Sequence, residues 1–179
     1  MLDPRRNRID YGEQLIPPDG YELIQAIGTT YSIDLEVLMV LPVALFYSQK
    51  FDGSIEQIRF DILDAIIKAA DKIKVFYHKG QLKVPGKYHN LMAYWESGIK
   101  AITMPDAFSS FHPKVWVIRY EAKDLPTIYR LIVTSRNLTL SRDWDIAFST
   151  DGFLTGKEQL VNNSLVDFLK FLSEEGKEN

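Results

Sequence analysis

The sequence predicts an α/β domain in which a mixed β-sheet is flanked by helices. Two observations lead there. Short runs rich in Val, Ile, Tyr and Thr, among them 73–77, 115–120 and 128–134, have strand character, and they alternate with segments whose apolar residues recur at helical spacing. There is also no internal repeat at a solenoid period. With 179 residues, 46% hydrophobic and 25% charged, the chain is long enough for one substantial core and falls in the single-domain range. Residues 1–179 therefore read as one domain, with a polar N-terminal segment over 1–20 and a polar tail over 174–179.

The polar opening ends on the turn signal Pro17-Pro18-Asp19-Gly20, and Tyr21 to Ile33 then has strand content, with Thr29, Thr30 and Tyr31 near its end. Asp34 stands as a cap before the apolar stretch Val37 to Tyr47, a buried helix that Pro42 kinks or ends near Leu41. Ser54 and Gln57 form a capping box ahead of Ile58, Ile62, Ala65, Ile66 and Ala69 at helical spacing. Ile73, Val75 and Tyr77 alternate as a strand. Residues 79–90 are loop-like, Leu91 to Ser97 is a short helix, and Ile99 to Met104 is a strand. Phe111 to Tyr120 and Ile128 to Thr134 are strands joined by a hairpin-like connection over 121–126, and Asp145 to Thr150 is a further strand. A second capping box, Thr155 with Glu158, opens an amphipathic last helix carrying Val161, Leu165, Phe168, Leu169 and Leu172.

The chemistry gathers between Phe111 and Asp145. His112 and Lys114 are two residues apart at the head of a predicted strand, and residues i and i+2 of a strand share a face, so imidazole and ammonium would project together. The polar turn Ser135-Arg136-Asn137 ends the next strand, beside that point, and Asp145 opens the one after. These side chains suit a phosphate held without a metal. A phosphodiester under attack develops charge on its non-bridging oxygens, which a fixed ammonium (Lys114) and amide donors (Asn137) stabilise. An imidazole (His112) serves as nucleophile when neutral and as proton donor when charged. A carboxylate (Asp145) can orient that ring, and Ser135 is placed to bind substrate. Asn137 also suits an ordinary turn, and Asp145 a solvated strand start. His78 and His89 lack a lysine two residues on and read as structural or surface residues; Arg136 and Arg142 read as solvated charges.

His112-x-Lys114, Ser135-x-Asn137 and Trp144-Asp145 together resemble one half-site of the phospholipase D superfamily. The aspartate common in that family seven positions after the histidine is Arg119 here, so the pattern is more similar to the histidine-lysine-asparagine form of the tyrosyl-DNA phosphodiesterase branch. The stretch Ser135-Arg136-Asn137-Leu138-Thr139 with Arg142-Asp143-Trp144-Asp145 also looks like bacterial phospholipase D-like proteins. The resemblance implies a phospholipase D-like single repeat and a hydrolase without cofactor or metal: a nuclease or other phosphodiesterase working through a phosphohistidine. Family sites use two such histidines on opposite sides of the phosphorus. The second half-site would come from another repeat of a longer chain or from a homodimer partner across a two-fold axis. A phospholipid or small-molecule phosphodiesterase, and a catalytically incomplete phosphate- or nucleic-acid-binding module, stand as alternatives.

The electrostatics do not select among them. A net charge of −3 gives no general field for DNA; Arg5, Arg6 and Arg8 form a basic N-terminal cluster and Lys114, Arg136 and Arg142 could make the cleft positive, but that suits any phosphodiester, so nucleic acid as partner rests on the resemblance and not on charge. The chain has no cysteine, which suits a reducing compartment and excludes disulfides and thiolate metal sites. Met1 to Arg6 is followed by no apolar h-region, and the longest apolar stretch is too short to span a bilayer. A cytoplasmic protein without a membrane anchor is the expectation.

Overall fold

The computed structural model describes residues 11–38, 41–46, 63–64, 66–68, 71–86, 90–141 and 145–177. The predicted Ser54–Gln57 capping box, His89, Arg142, Trp144 and the arginines of the first ten residues lie outside them. Among the described residues there are eight strands: β1 (Glu22–Thr30), β2 (Ile33–Asp34), β3 (Ile73–His78), β4 (Leu82–Lys83), β5 (Ile99–Ile102), β6 (Val115–Glu121), β7 (Ile128–Thr134) and β8 (Ala147–Phe153). Six of them form one mixed sheet in the order β5-β3-β1-β6-β7-β8, and β2 pairs with β4 in a second, two-stranded sheet.

Strand direction divides the large sheet. β1, β3 and β5 are mutually parallel, whereas β6, β7 and β8 form an antiparallel meander running on from β1. It follows that β1, β3, β5 and β7 end, and β6 and β8 begin, on the same rim. The chain leaving β5 must also pass the ends of β3 and β1 before it can enter β6, because those strands stand between them. Residues 103–114 make that crossing.

Both faces of the sheet carry packed side chains around β1, β3 and β5, while β8 is largely exposed. Strict alternation buries Trp116, Ile118 and Tyr120 of β6, which join Leu23, Ala26, Ile73 and Val75 in the main core. Leu15, Leu35, Leu38, Leu41 and Leu45, from the helical stretches Tyr11–Leu15, Leu35–Leu38 and Leu41–Phe46, close that face together with Met92 and Trp95. Against the other face Leu172, Phe168 and Leu169 of the helix Asn163–Glu175 pack on Phe76, Ile102 and Phe111. This is the expected mixed sheet flanked by helices. Among the described residues no helix is long and apolar enough to cross a membrane.

Several boundaries differ from the sequence reading, each for a local reason. The polar opening contains a helix, Tyr11–Leu15, which buries Leu15 in the main core and is also held by polar bonds to its end. The Tyr120 hydroxyl donates to the Leu15 carbonyl at 2.9 Å, and Arg130 donates to the carbonyls of Gln14 and Ile16. The strand expected over 21–33 stops at Thr30, whose hydroxyl donates to the Ser32 carbonyl at 2.8 Å and turns the chain into β2. β2 then pairs with β4, inside a stretch read as loop. Asp34 does cap a helix, accepting the Glu36 N–H at 3.4 Å, but that helix begins earlier than predicted, at Leu35. Pro42 sits second in Leu41–Phe46, in the first turn, where its missing N–H is tolerated. Asn90–Trp95 is a 3₁₀ helix, and β5 ends at Ile102. The Thr155–Glu158 capping box does not form: Thr155 Oγ1 receives the Lys157 N–H at 3.4 Å, Gly156 takes a left-handed φ of +69°, and the last α-helix starts only at Asn163. Val161 of the expected stripe is consequently exposed.

Candidate active site

The rim derived from strand direction carries the candidate residues. On β1, Thr29 and Thr30 act as side-chain clamps for the two segments that matter. Thr29 Oγ1 accepts the Val115 N–H at 3.0 Å and lies 3.2 Å from the Val115 carbonyl, which holds the residue following Lys114. Thr30 Oγ1 accepts the Leu138 N–H at 3.1 Å and lies 3.4 Å from Asn137 Oδ1. Adjacent positions of one buried strand end therefore place Lys114 and Asn137 on the same rim. The Thr134 N–H adds a bond to the Lys114 carbonyl at 2.9 Å, tying the end of β7 to the head of β6.

His112 and Lys114 do come together, by a different route from the one expected. β6 begins at Val115, so the shared face of a strand is not what aligns them. They belong to the crossing segment, and Lys114 Nζ reaches back to 2.9 Å from His112 Nδ1 and 3.3 Å from Nε2. Desolvation pulls the Lys114 ammonium below the ordinary lysine value. An ammonium has only protons to offer, so this contact requires a neutral acceptor nitrogen on the ring. A phosphoryl oxygen entering beside His112 would compete for the same protons.

Ser135 and Asp145 are bonded to each other. The Ser135 hydroxyl donates to Asp145 Oδ1 at 2.9 Å and accepts the Ile146 N–H at 2.9 Å. Arg136 occupies the other carboxylate oxygen at 3.0 Å and also donates to the carbonyls of Thr139 and Ser141. The orientation of an imidazole expected of Asp145 is therefore replaced by a brace of the 135–141 loop, and Ser135 has the same work. Arg136, read from the sequence as a solvated charge, is the centre of that brace. It keeps the backbone carrying Asn137 in place, and no side chain among the described residues takes up the Asn137 NH₂.

Two aromatic residues were missed. Tyr31, directly after β1, sets its ring 4.8 Å from that of His112 and 5.2 Å from that of His78. His78, expected to be structural or on the surface, ends β3 on the rim, and its Nδ1 accepts the Phe111 N–H at 3.2 Å. The available signal was position: ligands of open α/β sheets gather outside the carboxyl ends of parallel strands, where both residues stand. Arg119 sits well along β6 and pairs with Glu121. Among the described residues no group of three or more His, Asp and Glu side chains could hold a metal ion. Comparison of the chain with models of protein families, with curated proteins and with solved structures found no match.

Proposed function

We propose that this chain supplies one half-site of a phosphodiesterase that needs no metal, with His112 as the nucleophile or proton donor and Lys114 and Asn137 as donors to the phosphoryl oxygens. The observation that carries the reading is the approach of Lys114 Nζ to within 2.9 Å of His112 Nδ1 on a rim where Thr30, by accepting the Leu138 N–H, also holds the backbone next to Asn137. In the resting arrangement the ammonium rests on the imidazole. With a phosphodiester bound, it would turn to the non-bridging oxygens, leaving a neutral ring nitrogen to attack phosphorus and expel the leaving oxygen, which a second histidine would protonate. That second histidine would come from a further repeat or from a second copy of the chain.

Nucleic acid is the favoured substrate. Phe108 stands fully exposed four residues before His112. The turn that carries it is braced by Asp106, which accepts the N–H groups of Phe108 and Ser109 at 2.8 and 2.9 Å and the Ser109 hydroxyl at 2.7 Å. The Ser109 hydroxyl, followed by the Phe108 N–H, holds the Asp106 carboxyl below the usual carboxylate range. A flat apolar ring on a set turn of the segment that leads into His112 suits stacking of an unpaired base.

The test is hydrolysis, in EDTA, of single-stranded DNA, a phospholipid and bis(4-nitrophenyl) phosphate, with trapping of an acid-labile phosphoprotein. His112→Ala is expected to abolish turnover and trapping, and Phe108→Ala to weaken single-stranded DNA about tenfold while sparing the small ester. Turnover unchanged in His112→Ala sinks the reading. Binding of DNA without turnover, in every assembly state, favours the phosphate-binding module, and cleavage of the phospholipid alone redirects the substrate.

A further inference from the structure

We propose that His78 is a positioning residue that sets the pose of His112 through the backbone of Phe111; its catalytic consequence rests on the reading of His112 given above. Residues 103–114 belong to no strand, so the main chain immediately before His112 has no ladder to fix it. Among the described residues the Phe111 N–H finds its partner in a side chain, donating to His78 Nδ1 at 3.2 Å. Phe111 is itself buried against Phe76, Ile102 and Leu172, so its amide cannot readily turn to water instead.

His78 is well held for this purpose. Its own N–H donates to the Tyr31 carbonyl at 3.2 Å, its carbonyl accepts the Gln81 N–H at 3.0 Å, and its ring stacks on Tyr31 at an interplanar angle of 17°. The bond to Phe111 needs a lone pair on Nδ1, which assigns the ring proton to Nε2. Tyr31 completes the device, because its ring also touches His112 at 4.8 Å. His112 is thus set from two sides that both lead to His78: the peptide preceding it, and the phenol ring beside it. Alignment of a reacting group at this scale matters, since a displacement of about 1 Å can change a rate by about 10²-fold.

Three substitutions separate the contributions. His78→Asn keeps an acceptor near the Nδ1 position without the ring; His78→Phe keeps a ring on Tyr31 without the acceptor; His78→Ala keeps neither. We expect His78→Phe and His78→Ala to lower kcat about 10- to 100-fold at unchanged KM for bis(4-nitrophenyl) phosphate, and His78→Asn to restore most of it. Amide exchange at Phe111 and the His112 ring resonances, read by NMR on the same proteins, supply a measure independent of turnover. Phe111 exchange should accelerate and the His112 signals shift in His78→Phe, with both near wild type in His78→Asn. Wild-type exchange and ring signals in His78→Phe overturn the positioning role, as does wild-type kcat beside an inactive His112→Ala. If His112→Ala is fully active, the enzymatic reading fails, and the NMR arm alone decides whether His78 holds His112.

Discussion

Lys114→Ala is expected to lower kcat/KM for phosphodiester cleavage by about 10²–10³-fold, the effect of removing one preorganised donor from an oxyanion. The loss should be largest for this residue after His112 itself, because its ammonium is partly desolvated and already poised 2.9 Å from the ring. Its charge also sets a pH limit. Desolvation lowers the Lys114 value, so the proton is lost at a lower pH than from an exposed lysine, and activity should fall on the alkaline side below the ordinary lysine range. Lys114→Arg, which stays charged throughout, should move that limb to higher pH even where its shape reduces the rate. The pH profile of kcat/KM for both variants checks the assignment; an alkaline limb identical in wild type and Lys114→Arg would remove Lys114 from the reaction.

Trp116→Ala is expected to destabilise the fold by about 3–5 kcal/mol, a large share of the roughly 5–15 kcal/mol that holds a domain of ordinary stability. Trp116 is fully buried at the head of β6, two residues after Lys114, and its register partner on β1 is Gly28. The pairing is close. A Cβ built on Gly28 would come within 2.7 Å of the indole, so glycine is what lets the ring lie across the central strand. Removing the indole leaves a cavity where β1 and β6 meet, directly beneath the Thr29 clamp on Val115. Urea unfolding read by circular dichroism measures the loss, and a midpoint within error of wild type would show that the ring carries little of the core. Gly28→Ala tests the same contact from the other side, with overpacking that should cost about 1–3 kcal/mol.

Much of the fold was legible because it depends on local patterns. The alternation through 115–120 and 128–134, and the apolar spacing of the helices, reflect which side of an element is buried, and neighbouring residues carry that information. The errors fell where a distant partner decides. Tyr31 and Ser32 turn away from β1 because of a hydroxyl bond, the N-terminal helix is held by Arg130 and Tyr120, and Thr155 closes a turn in place of a capping box. In the site, the chemical types were readable, while Asp145 was assigned to an imidazole when its carboxylate belongs to Ser135 and Arg136.

From residue order alone came the class of the fold, the last helix in outline, and the concentration of polar and charged side chains between His112 and Asn137 to which the proposed function is assigned. Only the assembled sheet decided how they meet. Because β5 lies at one edge and β6 beyond β1, the connecting chain has to run across the ends of β3 and β1, and that path sets Phe111 on His78 and His112 against Tyr31. Partners separated by 33 residues in one case and by more in the other leave no periodic trace in the chain, since strand order is chosen by packing of whole elements rather than by any single segment.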